Sequence, residues 1–393
     1  MYELLAIATF RGEFVWAGSM SERQVLISAG EASSDMYAAQ LATAMRARTD
    51  AKFFGMGGPR MREAGVELIA DYHEVAVVGI TEVLHKIPTV IGVQNRLARE
   101  AAERSAALAI LVDSPGTHLG VARRLKKNKI PVGYFIGPQV WAWRAGRVRV
   151  VKRLVQRMVV IFPFEEKIYR DACVPVNFVG HPLVDTVRAT MSSAEFAAQQ
   201  GLDAGRPIVT ILPGSRPNEI AQNYARVIAA CERIAQAGNV QFVHAAAHGL
   251  SAEFFARYAQ PNIAIKRVEN ATYDALAAAD CAIVASGTAT VEAALLGTPM
   301  VVVYRVAPVT ASILRHMIRT PFIAMVNLIA GRLVAPELIQ DDFTPEAVAT
   351  EVRRLLDSPD SRAEAKAGLA EVRAKLGPGG AIERAADIFA GMM

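Results

Sequence analysis

QVLISAGEASSD, residues 24–35, reads as one unit: a buried strand, a turn, and the start of a helix. Residues 24–29 are mostly apolar, as expected of a strand covered on both faces. Gly30 lets the chain turn, and Ser33 or Ser34 can cap the helix that follows. From 34 to 48 the spacing is helical, with Leu41 and Met45 on one face. A strand that runs straight into a helix is the repeating unit of a doubly wound parallel sheet.

The same unit recurs outward from this stretch. Strands are expected at 52–56, 107–112, 131–136, 158–162 and 176–179, with basic helical runs between 131–136 and 158–162. Residues 189–205 are polar and alanine-rich and read as a linker. The pattern then restarts, with strands expected at 208–212, 241–246, 264–268, 281–285 and 300–304 and helices at 219–237, 273–279 and 290–296. Two such series predict an α/β protein of two Rossmann-like parallel-sheet domains with a cleft between them. The expected boundaries are 1–19 as an extension ahead of Met20, 20–188, 189–345, and C-terminal helices over 346–393 that pack back on the first domain.

Composition limits the function classes. The chain has 393 residues, 52% hydrophobic and 21% charged, which excludes a disordered or fibrous protein. Cys173, Cys231 and Cys281 are scattered without a C-x-x-C, against a disulfide or zinc scaffold. The longest run free of Asp, Glu, Lys and Arg, 234–252, carries Gln236, Asn239, Gln241, His244 and His248 and would be a poor membrane span. The first twenty residues lack a basic segment followed by an apolar run, so export is not expected. Net charge is +5, and between Ser114 and Phe164 there are eleven basic residues and no acidic one. Such a stripe suits phosphates on an anionic surface, although two solvated basic helix faces would look the same. Few aromatics interleave these charges and no nucleic-acid-reading motif is present, so nucleic acid is not an expected partner.

In open α/β sheets ligands sit at the carboxyl ends of strands, and four strand ends carry chemistry. After the first strand, Gly30 and Glu31 lead a turn whose N–H groups can face an anionic or hydroxyl-rich ligand; an ordinary capped turn is the alternative. At 111–116, Asp113 stands at the tip of a buried strand with Ser114, Pro115 and Gly116 behind it. It is placed as a general base if its pKa is raised, or as a helix cap. At 212–216, Gly214 permits close backbone approach, and Ser215 and Arg216 can meet phosphate oxygens. At 285–292, Ser286, Gly287 and Thr288 leave N–H groups free at a helix start for a diphosphate, and Glu292 lies one turn inside, where it can accept from ribose hydroxyls. No metal or cofactor is expected: Asp-x-Asp, P-loop and H-E-x-x-H patterns are absent, and His244/His248 lack acidic neighbours. An apolar stretch with Val77, Val78, Ile80, Val83, Leu84 and Ile87 reads either as core or as a surface for acyl chains. Trp141 and Trp143 stand beside the basic stripe.

Taken together, GEASSD (30–35), GMGGPRM (55–61), VVGITEVL (77–84), DSPG (113–116), PQVWAWR (138–144), FPFEEKIY (162–169), VGHPL (179–183), LPGSR (212–216), ASGTATVE (285–292) and VNLIAGRLVAPELIQ (326–340) resemble the lipid A disaccharide synthase family. These are inverting glycosyltransferases of the two-Rossmann-domain (GT-B) type. The resemblance covers the chain from Met20 to about residue 345. It departs at Ser34, where the family usually has Gly, and at Gly116-Thr117-His118, where the family often reads D-F-N; His118 is then expected to replace an asparagine contact to the acceptor. The resemblance implies transfer from UDP-2,3-diacylglucosamine to 2,3-diacylglucosamine 1-phosphate (lipid X), giving a β-1,6 disaccharide phosphate and UDP without a metal or cofactor. It implies Asp113 as base, Gly214, Ser215, Arg216, Ser286, Gly287 and Thr288 around the diphosphate, and Glu292 at the ribose. Asn327 and Gln340 are implied donor contacts, Asn327 grouped with the catalytic residues. Gly30, Glu31, Val77, Val78, Ile80, Val83 and Leu84 are implied for the acceptor and its acyl chains. Peripheral attachment to the cytoplasmic face of an anionic inner membrane is implied, and a homodimer is allowed for. A UDP-sugar 2-epimerase on a similar scaffold and a non-catalytic membrane-docked nucleotide-sugar binder are the alternatives.

Overall fold

The computed structural model describes residues 23–75, 80–138, 146–247, 249–307, 311 and 320–393, with side chains from 86 onward in the helix that opens at 80. The first sheet is formed by β1 (Gln24–Ala29), β2 (Lys52–Gly57), β3 (Glu67–Asp71), β4 (Leu108–Val112), β5 (Val132–Phe135), β6 (Arg157–Val160) and β7 (Val176–Phe178). The second is formed by β8 (Ile208–Leu212), β9 (Gln241–Ala246), β10 (Ile265–Glu269), β11 (Cys281–Ala285), β12 (Met300–Tyr304) and β13 (Glu337–Ile339). Every pairing is parallel. Both faces of both sheets carry a buried apolar layer, which is why the central strands read as uninterrupted aliphatic runs.

Strand order fixes where a ligand can sit. The first sheet runs β3-β2-β1-β4-β5-β6-β7 and the second β10-β9-β8-β11-β12-β13. In each, the chain reverses its direction of winding between two adjacent central strands, β1 and β4 in one and β8 and β11 in the other. Helices leaving such neighbours go to opposite faces, so a crevice opens at their carboxyl ends. The four motif-bearing turns follow these four strands.

Three features depart from the sequence expectation. β3 and β13 are edge strands, largely half-exposed and mixed in polarity, so they carry no core signal. The stretch expected as a linker holds a helix, Ser193–Gln200, closed by a capping box between Ser192 and Glu195 and anchored by the fully buried Phe196. Of the last helices, Pro345–Asp357 and Pro359–Lys375 lie on the second sheet through Val348, Val352, Leu369 and Val372. Ala381–Ala390 lies on the first, with Phe389 edge-on to Phe135 at 6.3 Å and Arg48 paired to Glu383 and Asp387.

Local chemistry ties the first turn to the fold. Asp35 is buried and its carboxylate accepts from the N–H groups of Gly58, Arg60 and Met61 at 2.6, 3.0 and 3.3 Å. It therefore caps the short helix Pro59–Glu63 and locks the 30–35 and 55–61 motifs together. Ser34 Oγ accepts from the N–H groups of Gly30 and Glu31 at 3.1 and 3.0 Å and donates to the Glu31 carbonyl at 2.9 Å. The departure from glycine at 34 thus adds a clamp to the turn.

Candidate active site

The turns after β1 and β4 rest on each other. A Cβ on Gly30 would lie 2.3 Å from Ser114 Oγ, so only glycine permits this approach. Asp113 and Ser114 both adopt left-handed backbone, with φ of 52° and 48°. For non-glycine residues that conformation costs on the order of 1–3 kcal/mol each and persists only where neighbours hold it. The neighbours are present: the Asp113 carbonyl accepts from Tyr134 Oη at 2.6 Å and from His118 Nδ1 at 2.7 Å. His118 is fully buried and its Nε2 lies 2.9 Å from Ser28 Oγ. Burial drives its pKa down to about 4, so it is neutral near pH 7. A carbonyl can only accept, so Nδ1 carries the proton and the Ser28 hydroxyl donates to Nε2. With both ring nitrogens engaged, His118 has no free group for an acceptor, which corrects the expectation that it takes over an asparagine contact.

The Asp113 side chain is half-buried at the edge of the gap between the sheets. Burial first, and the Glu31 carboxylate second, raise its pKa to about 7; Arg216 pulls the other way. A carboxylate raised toward neutrality is a stronger proton acceptor than an ordinary aspartate, which suits a general base working near pH 7.

Arg216 comes from the other sheet. Its Nη2 lies 3.9 Å from Glu31 Oε2, so the end of β8 faces the end of β1 across the gap. Both side chains are well exposed, and such a pair contributes little to stability; it marks the geometry. Gly214 has φ of 137°, and a Cβ there would come within 2.8 Å of Glu219 Cβ. The N–H groups of Ser215 and Arg216 donate to Glu219 Oε2 at 3.1 and 3.3 Å, and Arg216 Nη1 to Oε1 at 3.1 Å. This turn therefore directs three donors at one carboxylate, the arrangement that suits a phosphate oxygen.

At the end of β11, Ser286 N donates to Val303 O at 3.0 Å, and Gly287 and Thr288 are exposed at the start of helix Thr288–Leu296. Glu292 is half-buried one turn on and accepts from Tyr273 Oη at 3.2 Å; burial raises its pKa. Tyr37, on the first-sheet helix Ala32–Arg46, is buried and lies within electrostatic reach of Glu292, Tyr273 and Asp113, whose charges add to burial in raising its pKa. The Glu292 side of the second sheet and the Asp113 side of the first therefore share one gap.

Two implied donor contacts are placed differently. Asn327 is fully buried; its Nδ2 donates to Ala335 O and Glu337 Oε1, both at 2.8 Å, and its Oδ1 accepts from Val334 N and Ala335 N at 2.7 and 3.0 Å. A primary amide makes four such bonds, so Asn327 has none left for a sugar. It holds the 331–337 loop, and Glu337 in turn accepts from Ile323 N and Ala324 N behind Ser286, whose Oγ reaches Ile323 O at 3.5 Å. Gln340, with φ of 56°, turns its amide to the backbone N and O of Val306 at 3.2 and 3.3 Å, so its side chain is occupied as well. Val77 and Val78 lie outside the described residues, as do Trp141 and Trp143, and so do the side chains of Ile80, Val83 and Leu84. Farther along helix Ile80–Glu103, Ile87 and Ile91 are 44% and 43% exposed. Ser28, Tyr134, Tyr37, Tyr273 and Glu219 were not assigned roles from sequence; the one signal was a serine, Ser28, inside the otherwise apolar run 25–29.

Two Rossmann-type parallel sheets with facing switch points define the GT-B fold class. Solved structures share the fold. A UDP-GlcNAc 2-epimerase from Neisseria meningitidis bound to UDP-GlcNAc gives a TM-score of 0.62 at 14% identity, over 94% of this chain and 98% of that one. A calicheamicin glycosyltransferase gives 0.57 at 15%, over 95% and 98%. The family model for lipid-A-disaccharide synthetase matches residues 25–387, and the chain belongs to that family. Lipid-A-disaccharide synthases of Solibacter usitatus and Myxococcus xanthus are 46% and 44% identical to it, over 92% and 93% of this chain and 96% of each relative.

Proposed function

We propose that the protein transfers the diacylglucosaminyl group of UDP-2,3-diacylglucosamine to the 6-hydroxyl of 2,3-diacylglucosamine 1-phosphate. The products are the β-1,6-linked disaccharide phosphate and UDP. Family membership supports the reaction class. The observation that carries the site reading is the Glu31–Arg216 approach of 3.9 Å beside Asp113, whose pKa is raised to about 7.

In this reading Asp113 takes the proton from the acceptor hydroxyl as its oxygen attacks the anomeric carbon from the face opposite the leaving group. The bond from that carbon to the diphosphate breaks through an oxocarbenium-like state, inverting the centre. The electron pair leaves on the diphosphate. Arg216, the Ser215 and Arg216 N–H groups and the helix start at Gly287 and Thr288 neutralise that charge, while Ser286, whose N–H is already given to Val303 O, ends the strand behind them. Glu292, steadied by Tyr273, accepts from the ribose hydroxyls.

Among the described residues no helix is long and apolar enough to cross a membrane. Exposed Ile87 and Ile91, with Lys86 between them and the apolar stretch before it, support peripheral docking where acyl chains enter. Flotation with anionic against neutral vesicles tests this, with binding to the anionic set expected.

The decisive assay follows UDP release from the purified protein in detergent with both glycolipids. Release that needs the acceptor and equals the disaccharide formed is the expected result. Free sugar or an epimerised product from the donor alone would overturn the transferase reading.

A further inference from the structure

We propose that His118, together with Tyr134, is a positioning brace that aims Asp113 into the gap by holding its main-chain carbonyl. The inference rests on the reading of Asp113 as the base and extends it to residues that touch no substrate.

Asp113 N donates to Phe135 O at 3.0 Å, which keeps the peptide before it in line with β5. The left-handed turn at Asp113 and Ser114 then swings the Asp113 carbonyl inward, away from the strand ladder. There it meets two donors from different elements. Tyr134 Oη rises from β5 at 2.6 Å, and His118 Nδ1 comes from the first turn of helix Pro115–Lys127 at 2.7 Å. The two rings meet edge to face at 6.3 Å. The far nitrogen of His118 is tied to Ser28 on β1 at 2.9 Å. The imidazole thus joins the ends of β1 and β4, the two strands that form the switch point, while its near nitrogen fixes the peptide from which the carboxylate projects. Without these donors the carbonyl would be an unsatisfied buried acceptor, and the strained turn would lose what offsets its cost. Asn223 under the β8 turn is buried in the same way, with Nδ2 on Pro213 O at 3.0 Å, but the turn above it already has glycine to relieve it.

The two nitrogens can be separated by substitution. In His118→Asn the Nδ2–H stands where Nδ1–H was, so the Asp113 bond is kept and the Ser28 bond lost. In His118→Gln the amide reaches toward Ser28 and the Asp113 bond is lost. A brace predicts that H118N keeps kcat within a few-fold of the parent. H118Q loses about 100-fold in kcat, the cost of a small misplacement of a reacting group, with donor KM little changed. A residue that only fills buried space predicts equal losses in both, and that result, or H118Q outperforming H118N, would overturn the proposal. Tyr134→Phe removes the second donor with almost no change of volume and decides the matter if H118Q does not fold. A fall in kcat at constant KM is expected, and an unchanged kcat would overturn it. Asp113→Asn is run alongside. If it retains turnover, the base reading itself fails; if it is inactive while H118N and H118Q are equal, only the brace fails.

Discussion

The turn after β4 and the turn after β8 are both strand-to-helix connections at a switch point, yet they are built in opposite ways. At Asp113–Ser114 two non-glycine residues hold left-handed backbone, and buried donors from β5 and the following helix hold them there. At Gly214–Arg216 glycine takes the unusual φ, the side chains are exposed, and the donors face Glu219, a carboxylate of the same helix start. The first arrangement is rigid and suits a group that must meet one hydroxyl in one geometry. In the proposed function the second exchanges Glu219 for a diphosphate, and its exposed side chains let it do so without disturbing the core. In this reading the proton acceptor is pre-organised by packing, whereas the leaving-group site is assembled by binding.

The contrast can be broken by substitution. Asp113→Asn should cost the most, on the order of 10³-fold in kcat with donor binding retained, since it removes the proposed general base from a site that otherwise stays intact; donor titration beside the rate assay checks both parts. Arg216→Ala should cost about a hundredfold in turnover, the scale of losing one charge-stabilising contact in the transition state. A near-normal rate would remove its role on the diphosphate.

Glu31 raises the Asp113 pKa, so its removal lowers it. In the proposed mechanism Asp113 serves as the base when ionised, so activity is expected to fall as pH drops through its pKa. In Glu31→Gln this acid limb of the pH–rate profile should therefore move to lower pH. Arg216 acts on Asp113 with the opposite sign, so Arg216→Ala should move the limb to higher pH along with its loss of rate. An unmoved limb in both variants would separate Asp113 electrostatically from the gap. The smallest effect is expected at Ser34→Gly, which removes three hydrogen bonds from the β1 turn. A loss of about 1 kcal/mol of stability is expected from the missing cap and the added backbone freedom, read as a lower denaturation midpoint with kcat nearly unchanged.

Much of the site was legible in the sequence because strand ends announce themselves. Apolar runs stop at Asp113, Gly214 and Ser286, and a small or turn-forming residue follows each. What could not be read were saturation and direction. Asn327 looked like a donor contact, but its amide is consumed by Val334, Ala335 and Glu337. His118 looked like an acceptor contact and turns its ring toward Ser28 and the Asp113 carbonyl. A polar residue in a motif shows that a hydrogen bond is needed, without naming its partner.

The alternation of buried strands and helices, the restart after residue 205 and the four turns able to carry chemistry all follow from the order of the amino acids. These are local properties: burial on both faces demands contiguous apolar residues, and turns demand particular backbone conformers. Long-range packing, in contrast, puts β1 beside β4 and β8 beside β11, brings Arg216 to Glu31, and leaves Asp113 strained, half-buried and braced. Those depend on which distant segments pack together and how much water they exclude, and no local periodicity records either.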